Sequence, residues 1–148
     1  MTTSSTLPQP SAARLAPKAW AQIGAVAAVV SIAAVLVVQA LALTLWPDLA
    51  RFKPLDSYAR SALFVLIPTV GATAVLAWLV GRRAQPIRDF LYLAAVVLLV
   101  SILPDYALPF PDKTLLASTV TAALHVVAGI SVVALLLSGY QRQIARTK

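Results

Sequence analysis

A chain of 148 residues that is 60% apolar and 11% charged has too little polar surface to clothe a water-soluble globule, where about a quarter of residues are normally charged. The absence of cysteine excludes disulfides, thiolate metal sites and thiol redox chemistry. The net charge of +7 sits beside apolar runs rather than among aromatics, which fits lipid headgroups and argues against nucleic acid as a partner.

Residues 1–19 are rich in Ser, Thr, Pro and Ala. They have too few large apolar groups to bury a core, and disorder is expected there. A first span follows over 20–46, uncharged and bracketed by Trp20 and Trp46, as in an interfacial aromatic belt. Within it Ala40-Leu41-Ala42 imitates a signal cleavage site. The apolar run is longer than a signal core, so a retained helix is expected.

The second span covers 61–80 and contains Pro68 and Gly71. Proline kinks a helix, and neighbours in a membrane re-satisfy the freed carbonyl. The third, 87–103, is the shortest, with Arg88 and Asp89 at its start and Pro104 as its expected stop. The fourth covers 115–138, with Gly139 offering a C-cap. Residues 141–148 are then a basic tail. Residues 20–140 thus form one transmembrane domain, an all-α four-helix bundle.

Basic residues orient it. Arg14, Lys18, Arg82, Arg83, Arg88, Arg142, Arg146 and Lys148 fall on one side, against Arg51, Lys53, Arg60 and Lys113 on the other. The richer side is expected in the cytoplasm, with both termini. Asp48, Asp56, Asp105 and Asp112 fall on the outer side. Asp105, Asp112 and Lys113 read as a solvated loop.

His125 is the one ionisable side chain deep in a span. It lies ten residues past Leu115, roughly 15 Å in at helical rise, which places it near the midplane. An ionisable group there is a functional-site hypothesis. Ser118, Thr121, Ala122, His125 and Gly129 share one helix face at spacings of three and four. Small residues on such a face, with Gly71 in span two, admit a close helix neighbour. Ser31, Thr69 and Thr73 count to a similar depth and offer hydroxyls to the imidazole.

No acid or base is expected beside His125, so paired acid–base catalysis lacks its partner. No phosphate loop, HExxH or nucleophile elbow is present. One histidine cannot form a bis-histidine haem site without a second subunit, and no metal or other cofactor is expected. The expected role is a non-enzymatic assembly or structural component, its partners the lipid bilayer and a second protein or second copy. The alternatives are a small transporter or proton-linked sensor centred on His125, and a haem-binding or enzymatic membrane subunit.

Three segments carry a resemblance: Gly81-Arg82-Arg83, Ser101-Ile102-Leu103-Pro104 and Leu124-His125-Val126-Val127. With these, residues 20–140 resemble a bacterial four-helix membrane protein family, domain of unknown function sixty sixty-nine. That family usually has Met before the histidine, where Leu124 stands here. The resemblance implies a multi-pass architecture in a bacterial cytoplasmic membrane and no activity.

Overall fold

The computed structural model describes residues 15–146. Four helices account for most of them: α1 (Pro17–Leu45), α2 (Tyr58–Arg82), α3 (Pro86–Ala107) and α4 (Leu115–Arg146). All four are long and apolar enough to cross a membrane. Large apolar side chains face outward along their length, with Val29, Phe64, Ile67 and Leu99 each about two-thirds exposed. Both facts describe a multi-pass integral membrane protein, whose outer surface is solvated by lipid rather than water.

The helix starts follow local chemistry. Pro17 and Pro86 stand at the first positions of α1 and α3, where a missing N–H costs nothing. Ser57 caps α2 by accepting from Arg60 N. Thr114 does the same for α4, its Oγ1 accepting from Ala117 N at 3.0 Å.

Three boundaries differ from the sequence reading. Residues 17–19, expected disordered, form the first turn of α1; residues 1–14 lie outside the described residues. Pro104 does not stop α3, which runs one further turn to Ala107. Proline removes only its own donor, so the amides after it bond onward, and Leu108 N reaches Pro104 O at 3.1 Å. Gly139 does not end α4. Its backbone stays right-handed, the helix continues to Arg146, and most of the expected basic tail is helical.

The helices form a square. α1 packs on α2 and α4, α3 packs on the same two, and α1 and α3 take opposite corners. The tight 83–85 connection makes α2 and α3 antiparallel neighbours. The largest interface joins α1 to α4. At its lower end Trp20 and Tyr140 stack with centroids 5.5 Å apart. This end, which also holds the α2–α3 turn, carries Lys18, Arg82, Arg83, Arg88, Arg142 and Arg146, and is termed the basic end below.

Two apolar clusters fill the interior. One, at the basic end, includes Ile23, Leu76, Phe90, Leu136 and Tyr140. The other, at the opposite end, includes Val35, Leu49, Phe52, Leu55, Val65 and Leu124. The connection between α1 and α2 is therefore not a plain loop. It forms two 3-10 turns, Pro47–Arg51 and Lys53–Leu55, that push Phe52 and Leu55 into the bundle, each 1% exposed. Phe110 meets Phe52 edge-on at 6.1 Å. Gln39 Nε2 donates to Leu55 O at 3.0 Å, so α2 begins a full turn or more below the end of α1.

The glycines sort by contact. A methyl group at Gly139 would lie 2.9 Å from Ile23 Cγ2, and one at Gly24 would lie 2.9 Å from Thr73 Oγ1. These two allow the close approach of α1 to α4 and to α2. Gly129 has a looser neighbour in Leu98, at 3.3 Å. Gly71, expected to pack, faces open space: its position on α2 looks outward to lipid.

Candidate functional site: the Asp105–His125 pair

The hydroxyl partners expected for His125 are not the ones it has. Thr69 Oγ1 donates to Val65 O, Thr73 Oγ1 to Thr69 O and Thr121 Oγ1 to Ala117 O. Such back-bonding satisfies each hydroxyl within its own helix. Thr73 packs beside Gly24 and Ile23 beside Gly139. That level on α4 is fourteen residues from His125, roughly 20 Å along the axis. Thr73 thus belongs to the basic end and His125 to the opposite half. Ser31 is fully buried, and its Oγ has no protein partner. Counting inward from span ends misplaces Thr73, because α2 starts lower than α1 ends.

The contact that His125 does make was not anticipated. Its Nδ1 lies 3.2 Å from Asp105 Oδ2 and 3.0 Å from Thr121 O. Asp105, expected in solvent at the outer boundary, is 6% exposed. The reason is geometric. A helical Cα–Cβ bond tilts toward the helix N-terminus. The N-terminus of α3 is at the basic end and that of α4 at the opposite end, so the Asp105 side chain leans down and the His125 side chain leans up. They meet between levels that their Cα atoms do not share.

The surroundings hold this arrangement. Ser118 Oγ, fully buried, donates to Asp105 O at 2.7 Å. Tyr106 Oη and Thr119 Oγ1 are 3.3 Å apart. Lys113 Nζ, expected in a solvated loop, donates to Tyr106 O and Leu108 O at 2.6 and 2.9 Å. It satisfies the last carbonyls of α3 and favours the negative end of the helix dipole. Ala122 is buried on the neighbouring face.

A carbonyl oxygen only accepts, so the Thr121 contact assigns a hydrogen to Nδ1. In the neutral ring Nε2 then carries the lone pair. The His125 side chain is about one-third exposed. Asp105 Oδ2 is buried and has no aligned donor, since the Nδ1 hydrogen is spent mainly on Thr121 O. Thr121 O thus orients the imidazole, and the nearby carboxylate favours its cation by charge alone.

Within reach of each other are therefore Asp105, Ser118, Thr121 and His125, while Thr73 lies at the basic end, Gly71 faces outward, and neither Ser31 nor Thr69 hydrogen-bonds the imidazole. Among the described residues no group of three or more His, Cys, Asp or Glu could hold a metal ion. No protein-family model, curated protein or solved structure matches the chain.

Proposed function

We propose that this membrane protein is a proton-linked sensor or transport component in which Asp105 and His125 form the proton-accepting site. The observation that carries the proposal is the 3.2 Å approach of a buried carboxylate to the sole histidine. Helix locking alone does not require it. Ser118, Tyr106 and Lys113 already tie the end of α3 to α4 and its loop. An ionisable pair in apolar surroundings is costly to keep unless its charge states are used.

The chemistry follows from charge balance. With one proton on the pair, the site is neutral overall, either as carboxylate and imidazolium or as carboxylic acid and imidazole. A second proton enters at the Nε2 lone pair or the unaligned Oδ2 and gives the pair a net positive charge. Lys113 is the next cation, beside Asp105 and engaged with backbone carbonyls. Uptake of charge would strain the α3–α4 contact, which couples protonation to the position of the least buried helix, α3. The proposal places the basic end in the cytoplasm and the pair in the outer half of the bilayer, where external protons reach it first.

His125 being the sole histidine makes the test direct. Nitrogen NMR of histidine-labelled protein in lipid nanodiscs reports this ring alone. The neutral ring should carry its hydrogen on Nδ1, and Nε2 should respond to pH. Asp105→Asn should move the ring nitrogen resonances, because it removes the carboxylate charge 3.2 Å from Nδ1. A ring held on Nδ1 but indifferent to pH and to Asp105→Asn would leave helix locking as its role.

A further inference from the structure

The basic end carries a second feature, independent of His125. A groove of about 150 Å³ runs between α1 and α4, floored by Ile23, Val26, Leu135 and Gly139 and rimmed by Gln22, Arg142 and Arg146. Neither arginine has an ion-pair partner among the described residues. Asp89, the one acid at this end, is taken up by Arg83 and Arg88 around the α2–α3 turn.

Two like charges four residues apart on a helix repel each other. The dipole at the end of α4 favours a cation in the last turn, and Arg146 meets that need. It does not explain Arg142 one turn earlier above the same groove. The floor beneath is apolar and continuous because Gly139 lets α4 close on Ile23. The site thus joins two free guanidiniums and a side-chain amide to an apolar slot running toward the membrane interior. Lys18 adds a further cation one helical turn before Gln22 on α1.

We infer that this groove binds an anionic phospholipid, with its phosphate held between Arg142 and Arg146 and the start of an acyl chain along Val26 and Leu135. Guanidinium forks match phosphate oxygens in charge and geometry. The level fits as well, since Trp20 stacks on Tyr140 beside the groove and tryptophan marks the headgroup region. A soluble anion would use the arginines and leave the apolar slot unused, so the lipid is the occupant to which both halves of the site correspond.

The test is native mass spectrometry of the full chain released from nanodiscs made of equal parts phosphatidylglycerol and phosphatidylcholine. The wild type should retain one phosphatidylglycerol in preference to phosphatidylcholine, by a factor on the order of ten or more for two interfacial arginines. R142Q/R146Q should abolish the preference with unchanged helical circular dichroism, since both side chains are exposed. R82Q/R83Q, which removes equal charge at the same end, should keep it. Equal loss in both variants would reduce the effect to general surface charge and overturn the assignment. Retention of phosphatidylcholine at the same level would also overturn it. So would displacement of the lipid by inorganic phosphate, which would mark a site for a free anion.

Discussion

Replacing Gly139 by alanine tests the packing of α1 on α4 at the basic end. The added methyl would sit 2.9 Å from Ile23 Cγ2, 3.3 Å from Cγ1 and 3.5 Å from Cβ. Carbon atoms prefer about 3.5–4.0 Å, so the nearest contact overlaps by close to an ångström. Ile23 cannot swing aside. It is β-branched and stiff at χ1, it is 6% exposed, and it belongs to the buried cluster with Leu136 and Tyr140. The helices must separate, at a cost of about 1–3 kcal/mol for overpacking. Alanine returns up to about 1 kcal/mol as the better helix former. The net expectation is a loss of about 1–2 kcal/mol in stability. Ile23→Ala alone leaves a cavity and should cost about 2–5 kcal/mol. The double variant should be less damaged than the sum by at least about 1 kcal/mol, because the new methyl occupies vacated space. Gly71→Ala is the control. It meets nothing within 4 Å, and should be neutral or stabilising by up to about 1 kcal/mol. Reversible unfolding in mixed micelles, followed by circular dichroism, measures all four. A Gly139→Ala protein as stable as Gly71→Ala, with no coupling to Ile23, would refute the close-approach reasoning.

Two further predictions concern buried groups. His125→Leu strands the Asp105 carboxylate, which is 6% exposed, and should cost about 1–3 kcal/mol, discounted for the partial exposure of the imidazole. His125→Leu/Asp105→Leu should recover most of that loss, and a double variant weaker than His125→Leu would show that the two side chains do not act as a pair. Phe52→Ala empties the cluster under the 3-10 turns and should cost about 3–5 kcal/mol. Faster hydrogen exchange confined to residues 47–57 and the start of α2 would accompany it, and protection unchanged there would mean that Phe52 does not anchor the connection.

The four helices were readable because each carries an apolar run longer than any soluble core helix requires, and nothing else that length fits a chain so poor in charge. Their ends were less readable. Pro104 and Gly139 are both stop signals in water, yet each lies inside a helix here. Proline's effect reaches backward along the helix and leaves the residues after it free. Gly139 is present for the contact with Ile23, which depends on a second helix.

The misplacement of Asp105 followed from Pro104. With Pro104 as the expected stop of α3, an acid beyond it falls in solvent. A cue was present in the sequence. The connection between α3 and α4 is short, so residues near its two ends face each other, as Asp105 and Ser118 do. Combining that register with the opposed lean of side chains on antiparallel helices would have led from Asp105 to His125. The Thr73 depth could not have been corrected in this way. It depends on how far the 3-10 turns sink into the bundle, which Phe52 and Leu55 decide through tertiary contacts.

The dominance of the α1–α4 interface bears on how the protein is made. Of the four helices, α1 is made before the others and finds its largest partner in α4, made after them. Until then, the face of α1 that packs on α4 lacks its cover, although Gln39 already has an acceptor, Leu55 O, in the connection to α2. That face must wait in lipid, or against the insertion machinery, while α2 and α3 are threaded. The bundle closes only once α4 has been made, and a chain interrupted before Leu115 would present that uncovered face to the cell's quality control.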